Sequence, residues 1–340
     1  MCRPKKNRRG DRTVSSRIGV VAIGRNEGNR LQRCLASALG CADKIVYVDS
    51  GSIDGSVALA LSMGVEVVEL DMSQPFTAAR ARNAGFARVT DCVYVQFVDG
   101  DCEIVVGWIE LAAQQLEENL NWAIVCGRRR EQHPDASIYN RLCDIEWDTP
   151  VGEAHACGGD AMVRVAAFQQ VGGYNSDVIA GEEPEMCVRL RQAGWIIHRL
   201  GAEMTLHDAA ITHFGQWWKR NVRAGHAYAE GAAIHGKTTG HWVRETRSNW
   251  FWGLILPILT LVLAWPTRGI SLVLLAGYVV LACRIRRGAL TRDMSRAEAN
   301  LYARFTTIGK FAQAWGQLKY HLGYLRGRRS ALIEYKTAPQ

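Results

Sequence analysis

Residues 92–101 have the sequence CVYVQFVDGD, an almost continuous apolar run that ends in two carboxylates, and this stretch decides the fold class. Such a run is typical of a strand buried on both faces of a sheet. Three further strand candidates precede it in the chain, at residues 18–23, 44–49 and 65–70. Helical patterns over residues 31–39, 56–63 and 77–89 separate them. Strands that alternate with helices predict a mostly parallel, doubly wound α/β sheet.

The carboxylates at the end of this run are those of Asp99 and Asp101. Side chains at positions i and i+2 of a strand point to the same side, so two unpaired negative charges would repel each other there. A divalent cation that holds a diphosphate relieves this repulsion, because hard cations prefer oxygen ligands and keep sites open for phosphate. Gly100 between them lets a ligand approach closely. Ligands of doubly wound sheets bind at the carboxyl ends of the strands, which is where this pair lies.

Polar residues also follow the earlier strand candidates. Asp49 ends the second one and is followed by a turn that contains Asp54. A carboxylate at a strand end can accept hydrogen bonds from a base or a ribose, although turns rich in Asp, Ser and Gly are also common without a ligand. The first candidate is followed by Gly24-Arg25-Asn26-Glu27-Gly28. This is no Gly-x-Gly-x-x-Gly pattern, so the fingerprint of a nicotinamide-type dinucleotide site is absent.

Three more groups could contribute to a site. Arg80 and Arg82 cannot share one helix face, so at most one of them serves a ligand, and the alternative is a helix with surface arginines. Acidic residues at the start of a later helix could supply a base or could simply complement the helix dipole; they are Glu182, Glu183 and Glu185. His207 could add a metal contact, and the alternative is a structural histidine.

Composition and charge exclude several classes of protein. The chain has 340 residues, of which 48% are apolar and 22% charged, so it is not wholly disordered. Its net charge of +8 includes two basic clusters, but no nucleic-acid-binding fold accompanies them, and we expect no nucleic-acid partner. Ten cysteines without a Cys-x-x-Cys pair indicate reduced thiols in a cytosol-facing protein. The charged first 20 residues lack the pattern of a signal peptide.

The carboxyl-terminal part differs in composition. Residues 248–267 carry no charge, and residues 269–283 add 15 more uncharged positions after Arg268. This predicts a tight helical hairpin, either spanning or re-entrant in a membrane; a buried helical pair is the alternative. Arginines bracket the hairpin, and the positive-inside rule places both of its ends in the cytosol. The predicted parts of the chain are a basic tail (1–16), an α/β domain (17–240), the hairpin (241–290) and an interfacial amphipathic tail rich in basic and aromatic residues (291–340).

Taken in order, these motifs resemble glycosyltransferase family 2, over about residues 17–225. The resemblance rests on Arg25-Asn26-Glu27, Asp49 to Asp54, Ala81-Arg82-Asn83, Asp99-Gly100-Asp101, Gly172-Gly173 and Glu182-Glu183. It implies the GT-A fold. Within the family, the chain resembles bacterial, membrane-associated members. This resemblance implies a role in the synthesis of cell-surface polysaccharide or glycolipid on the cytoplasmic face of the inner membrane.

The resemblance further implies partners and residue roles. The donor would be a nucleoside-diphosphate sugar, UDP- or GDP-linked, and the acceptor a saccharide or a lipid-linked molecule, with a polysaccharide-assembly complex as a further partner. Nucleotide-sugar binding falls to Asn26, Glu27, Asp49, Asp54, Arg82 and Asp99. A Mn²⁺ or Mg²⁺ ion falls to Asp99, Asp101 and His207. Acceptor contacts fall to Gly158, Gly159 and Trp217, and the catalytic base to the pair Glu182 and Glu183.

Two departures from the family pattern matter. The second acidic residue is usually Asp and here is Glu183, so assignment of the base among Glu182, Glu183 and Glu185 stays open. The nearest string to the Gln-x-x-Arg-Trp motif of processive members is residues 216–220, in broken order, which argues against a processive synthase. The expected reaction is an inverting sugar transfer without a protein nucleophile. The alternatives are a nucleotidyltransferase, for which residues 24–30 are a poor match, and a non-catalytic membrane scaffold that binds nucleotide sugars.

Overall fold

The computed structural model of the protein describes residues 17–327, so the predicted basic tail at residues 1–16 lies outside the described residues. The described chain divides into two compact units. The first contains the residues up to Gln132, then Trp147–Val178 and Glu182–Ala209. The second contains His133–Glu146, Ile179–Gly181 and the residues from Ala210 onward.

The first unit is built on a nine-stranded sheet whose strand order is β3-β2-β1-β4-β8-β6-β9-β5, with β7 paired to β9. The strands are β1 (Ile18–Gly24), β2 (Lys44–Asp49), β3 (Glu66–Glu69), β4 (Tyr94–Asp99), β5 (Cys102–Ile104), β6 (Trp122–Glu131), β7 (Gly152–Glu153), β8 (Ala161–Arg164) and β9 (Ile196–His207).

The first four strands confirm the predicted parallel sheet. Strand β2 has the predicted bounds, and the other three begin and end within two residues of the prediction. Their pairings, β1 with β2, β1 with β4 and β2 with β3, are all parallel. The second half of the sheet is mixed, because β8 runs antiparallel to both β4 and β6, and β5 runs antiparallel to β9.

Helices cover the sheet of the first unit. They are α1 (Asn29–Ala38), α2 (Ser56–Ser62), α3 (Ala78–Phe86), α4 (Trp108–Glu118), α6 (Val165–Gln170) and α7 (Glu182–Gln192), while α5 (Ile138–Trp147) lies almost wholly in the second unit. The apolar residues whose spacing predicted α1 form the buried face of this helix, among them Leu31, Cys34 and Leu35. The Thr77 hydroxyl accepts a hydrogen bond from the Arg80 backbone N–H at 3.1 Å, which fixes where α3 begins.

The second unit is helical over its carboxyl-terminal part. Its helices there are α8 (Phe214–Thr239), α9 (Val243–Trp250), a π-helical turn (Phe251–Ile255), α10 (Leu256–Ala264), a 3₁₀ helix (Ile270–Leu275), α11 (Ala276–Leu290) and α12 (Arg296–Leu325). The predicted hairpin is present, and its arms are joined by the Ser271 hydroxyl, which donates to the Thr260 carbonyl at 2.8 Å. Among the described residues, the 22-residue helix Val243–Ala264 is long and apolar enough to cross a membrane.

Helix α12 packs along α8 through small residues. A β-carbon added at Gly225 of α8 would lie 2.0 Å from the Gln313 carbonyl oxygen of α12. A β-carbon added at Gly316 of α12 would lie 2.0 Å from the Val222 carbonyl oxygen of α8. The two backbones therefore approach so closely that only glycine fits at these positions. The interfacial role predicted for this part of the tail stays a prediction.

Candidate active site

One buried arginine gathers three carboxylates that are distant in sequence. Arg82 of α3 is 2% exposed. Its Nη2 donates to Asp99 Oδ1 at 2.7 Å, and its Nη1 donates to Glu182 Oε1 at 2.7 Å. Glu183 Oε1 lies 3.4 Å from the same Nη1. Three of the predicted site residues thus meet Arg82 at the carboxyl end of β4, which is where a doubly wound sheet binds its ligand. Arg80, by contrast, is bound to backbone carbonyls of residues 71–75.

The three glutamates that begin α7 have different partners. Glu185 is 2% exposed and receives three hydrogen bonds from Arg189 on its own helix. Glu182 takes the short hydrogen bond from Arg82. Glu183 makes the longer contact with Arg82, and 14% of its side chain is exposed. Burial, followed by the charge of Glu182, raises the pKa of Glu183 to about 7, although Arg82 acts in the opposite direction. Of the three, Glu183 has the properties of a general base at neutral pH.

Gly159 forms a wall of this cluster. A β-carbon added there would lie 2.8 Å from Arg82 Nη2, 3.0 Å from Asp99 Oδ2 and 3.1 Å from Glu183 Oε1. Any larger residue would therefore displace at least one charged group. Gly158 differs, since a β-carbon there would meet no heavy atom within 4 Å. The acceptor contacts predicted for both glycines stay predictions.

Asp101 and His207 form a second polar pair. His207 Nε2 lies 3.1 Å from Asp101 Oδ2, and both residues are less than 10% exposed. The His207 ring stacks on Trp147, with ring centroids 4.7 Å apart and planes 10° from parallel. Burial, helped by the nearby Arg129, lowers the pKa of His207 to about 4. The imidazole is therefore neutral near pH 7, the form that binds metals.

The donor atoms here fit a divalent cation. Among the described residues, two groups of three bring ligand atoms within 4.8 Å of one another: Asp101, Cys102 and His207, and Asp99, Cys102 and Asp160. The shared Cys102 is fully buried, and burial raises the pKa of its thiol well above the ordinary value. It therefore stays protonated and is a poor ligand. A carboxylate beside a neutral imidazole suits Mn²⁺. Asp99 falls outside the first group, so the three predicted metal residues do not converge on one point.

Sequence reasoning missed the buried residues that hold the backbone of Asp99 in place. Asp160 is fully buried and accepts the Asp99 backbone N–H at 3.1 Å and the Thr205 hydroxyl at 2.7 Å. Arg129 of β6 places its Nε 2.9 Å from Asp160 Oδ2, and its guanidinium lies over the Trp147 ring. The only sequence signal for this network was the position of Asp160 directly after Gly158 and Gly159. Arg129 and Thr205 reach it only because β6 pairs with β9.

Several predicted nucleotide residues join the loops after β1 and β2 to each other. Asn26 donates its backbone N–H to Ser52 Oγ at 2.9 Å and accepts the Ile53 N–H at 2.8 Å. Asp54 accepts the Gly28 N–H at 3.0 Å. Asp49 is 2% exposed and binds the Tyr47 hydroxyl and two N–H groups of its own turn. These bonds fix the shape of the loops, and contact with a nucleotide stays a prediction.

Two predicted residues remain. Glu27 borders the turn between Asp99 and Asp101, because a β-carbon added at Gly100 would lie 3.3 Å from Glu27 Cγ. Glu27 forms an ion pair of 2.8 Å with Arg30, its neighbour one helical turn away. Trp217 belongs to the second unit, where it is 2% exposed and packs edge-on against Phe305. Its predicted contact with the acceptor stays a prediction.

Part of the chain is similar in sequence to a known family. The sequence model named Glycosyl transferase family 2 matches residues 20–172. The pre-mycofactocin glycosyltransferase of Mycobacterium tuberculosis (strain H37Rv) is 24% identical over 237 residues, which are 65% of this chain and 49% of that protein. The O-antigen chain rhamnosyltransferase RfbN of Salmonella typhimurium is 25% identical over 193 residues, which are 50% of this chain and 58% of that protein. The chain thus spans about half the length of these relatives.

A solved structure shares the fold. The mannosyltransferase PcManGT from Pyrobaculum calidifontis, in complex with GDP-Man and Mn²⁺, matches with a TM-score of 0.58 at 15% sequence identity. The match covers 90% of this chain and 87% of that chain. The predicted GT-A fold is therefore confirmed. Residues 20–172 are thus similar in sequence to glycosyl transferase family 2, and the chain shares the fold of a solved glycosyltransferase.

Proposed function

We propose that this protein transfers a sugar from a nucleoside-diphosphate sugar to an acceptor hydroxyl, with inversion at the anomeric carbon. The observation that carries the proposal is Glu183, a partly exposed carboxylate beside the Arg82–Asp99 pair, whose burial raises its pKa to about 7. Such a group can take up a proton at neutral pH and release it again. The similarity of residues 20–172 to a glycosyltransferase family agrees with this use of the site.

In the proposed reaction one bond forms as another breaks. The acceptor oxygen bonds to the anomeric carbon, while the bond from that carbon to the diphosphate oxygen breaks and its electron pair leaves with the diphosphate. Glu183 removes the proton of the acceptor hydroxyl as the new bond forms. A single displacement of this kind inverts the anomeric carbon and needs no protein nucleophile. Arg82 keeps Asp99 in place, and the short Arg82–Glu182 bond leaves Glu183 as the carboxylate open to the acceptor.

The divalent cation expected of the fold would be held by Asp101 and His207. When bound, Mn²⁺ or Mg²⁺ neutralises the charge that develops on the leaving diphosphate. Trp147 fixes the ring plane of His207, and Asp160 fixes the backbone at Asp99, so both positions are rigid before any ligand binds. The donor we propose is UDP- or GDP-linked.

The acceptor we propose is a saccharide or a lipid-linked molecule of cell-surface polysaccharide or glycolipid synthesis. Two features support the proposal that the protein acts at a membrane. One relative is named as an O-antigen chain rhamnosyltransferase. The apolar helix Val243–Ala264 and the segments after it also leave large side chains exposed, among them Leu261, Val262, Trp265 and Val273. Exposed apolar surface of this extent is typical of membrane or protein contacts. We place the protein on the cytoplasmic face of the membrane, because arginines flank both ends of the hairpin.

One assay tests the reaction. The full chain is incubated with Mn²⁺ and individual UDP- and GDP-sugars, with and without membrane extracts as a source of acceptor. Release of nucleoside diphosphate is measured, and the anomeric configuration of the product is determined by NMR. We expect release that depends on the acceptor and a product of inverted configuration. Release of inorganic diphosphate instead would indicate a nucleotidyltransferase, and binding of a donor without turnover would indicate a scaffold.

A further inference from the structure

The second unit contains a cavity whose walls include neither Arg82 nor the carboxylates that contact it, although Trp217, a predicted acceptor contact, is part of the wall. Its volume is about 480 Å³, and α8, α9 and α12 supply most of its walls. This volume lies within the range of sites that bind small organic ligands. All the residues that line the cavity belong to the second unit, so the cavity is complete within that unit.

The apolar part of the wall is aromatic. Trp217 and Phe305 form a rigid pair, with ring centroids 5.1 Å apart and planes at 82°. Tyr228 and Tyr302 also line the cavity. Rigid aromatic side chains offer a large contact area to the apolar or ring portion of a ligand at low cost in conformational entropy.

The charged part of the wall holds an excess of cations. Arg220 is neutralised by Glu146 at 2.6 Å. Arg223 also lines the cavity, and no hydrogen bond or ion pair involves it among residues 17–327. Lys310 donates to the Asn249 side-chain oxygen at 2.8 Å, and this partner carries no charge. Apart from the Arg220–Glu146 pair, the charged residues that line the cavity are Arg223, Lys310 and the exposed Glu245. The wall therefore carries two positive charges and one negative charge.

Burial lowers the pKa of Lys310, with Glu245 acting in the opposite direction. A bound anion would therefore favour the charged form of this lysine, and the lysine in turn would favour the anion. Arg223 adds a fork of donors that matches the geometry of a phosphate or carboxylate group.

The cavity lies at the start of the apolar helix. Glu245 is in the first turn of α9, and Asn249, the partner of Lys310, follows one turn later. The same continuous helix then runs through the exposed apolar residues up to Ala264. The polar and cationic groups of the cavity are thus followed along the helix by apolar surface. An amphiphile with an anionic head group could place its head group against the cations and its chain along the apolar surface. Basic pockets beside membrane-embedded helices bind such head groups.

We propose that this cavity binds a phosphate group through Arg223 and Lys310, with the aromatic pair contacting the rest of the ligand. The phosphate is that of a lipid head group or of a soluble phosphate ester, and the two sources share the same recognition chemistry. The site works by binding alone, so it does not depend on the transfer reaction proposed above.

The test measures binding to the full chain purified in a non-ionic detergent. Isothermal titration calorimetry compares three probes: short-chain phosphatidic acid, short-chain phosphatidylcholine and glycerol 3-phosphate. We expect phosphatidic acid to bind, and Arg223→Gln to weaken its affinity by about tenfold or more, as expected for loss of a charged hydrogen bond. Lys319→Gln is the matched control, because Lys319 is a basic residue of the same helix as Lys310, lies over Trp315 and does not line the cavity.

The outcomes separate the sources of phosphate and decide the proposal. Binding of phosphatidic acid but not of glycerol 3-phosphate, lost in Arg223→Gln, supports a lipid site. Binding of both, lost together, supports a site for soluble phosphate esters. Arg223→Lys should recover part of the affinity, which separates loss of charge from loss of folding. Equal affinity of the wild type and Arg223→Gln, or no binding of any phosphate probe by a folded wild type, would overturn the proposal.

Discussion

Glu182 and Arg82 lie 100 residues apart in the chain and are joined by a hydrogen bond of 2.7 Å between two almost fully buried side chains. This pair divides the roles of the two adjacent glutamates. The carboxylate of Glu182 is committed to holding Arg82, and Arg82 in turn holds Asp99. We therefore propose Glu183 as the carboxylate that exchanges a proton with a ligand.

Replacement of Glu183 tests this division. We expect Glu183→Gln to retain the fold and the affinity for donor, and to slow single-turnover transfer by about 100- to 10,000-fold, the usual contribution of a general base. Glu183→Asp should keep partial activity. The matched variant Glu182→Gln should instead lower stability by about 1–3 kcal/mol, because a neutral amide replaces one charged partner of the buried guanidinium while Asp99 still binds it. A Glu183→Gln enzyme with a near-normal rate beside an inactive but folded Glu182→Gln enzyme would move the base to Glu182.

The raised pKa of Glu183 predicts a pH dependence of the rate. A base acts in its deprotonated form, so transfer should increase as the pH rises through about 7 and level off above it. The measurement is single-turnover transfer at saturating donor between pH 5.5 and 8.5. The residual rate of Glu183→Gln should lack this step. A wild-type rate that is constant between pH 6 and pH 8 would contradict the assignment.

The same pKa predicts a pH dependence of stability with the opposite sign. Between 4.5, the ordinary value, and about 7, the folded state keeps a proton on Glu183 that the unfolded state has released. The contribution of Glu183 to the free energy of unfolding should therefore fall as the pH rises through this window. Urea unfolding of wild type and Glu183→Gln at pH 5 and pH 8 measures it. The variant should gain stability relative to wild type at pH 8, and an equal difference at the two pH values would count against a raised pKa.

Gly159 offers a test that removes no chemical group. Gly159→Ala places a methyl group 2.8 Å from Arg82 Nη2, so the guanidinium or its partners must move. We expect transfer to fall by about 100-fold, the order of loss that follows when a catalytic group is misplaced by about 1 Å. Gly201→Ala is the control in the same unit, since a β-carbon there meets no atom closer than 3.6 Å. If both variants retain full activity, the packing of Gly159 against Arg82 is not needed for catalysis.

Metal dependence follows from Asp101 and His207. We expect Asp101→Ala to abolish nearly all transfer, and an excess of chelator to do the same to wild type until Mn²⁺ is restored. Asp91→Asn serves as the control, because Asp91 is 52% exposed, pairs with Arg17 and lies near the opposite end of β4 from Asp99. Full wild-type activity in excess chelator would end the proposal of a metal-dependent transfer.

The apolar hairpin predicts membrane attachment. The full chain should sediment with membranes, remain in the pellet at high salt and dissolve in a non-ionic detergent. High salt screens electrostatic attraction and leaves hydrophobic contact intact, so it separates an inserted hairpin from basic residues bound to a surface. Full-length protein in the supernatant at both low and high salt would show that the exposed apolar residues serve a protein contact instead.

The sequence was informative where a local pattern determines the outcome. Strands β1 to β4 are apolar runs bounded by polar turns, and the residues at their ends, such as Asp49 and Asp99, were found with them. Strand β6 was not predicted, because three successive arginines at 128–130 interrupt its apolar pattern. Its extended form depends on pairing with β9, with register shifts along the way. The support of Asp99 by Asp160 and Arg129 depends on the same long-range pairing, so no local pattern could have revealed it.

The close approach of α8 and α12 at Gly225 and Gly316 determines how the packing of these helices depends on the surrounding solvent. Contacts between backbones are dispersion and weak polar interactions, and they do not require water to be expelled from oily side chains. This packing is therefore equally available in a bilayer, in a detergent micelle and in buffer. Because Lys310 and Gln313 of α12 line the cavity opposite Asn221 and Arg223 of α8, its shape should be the same in all three environments.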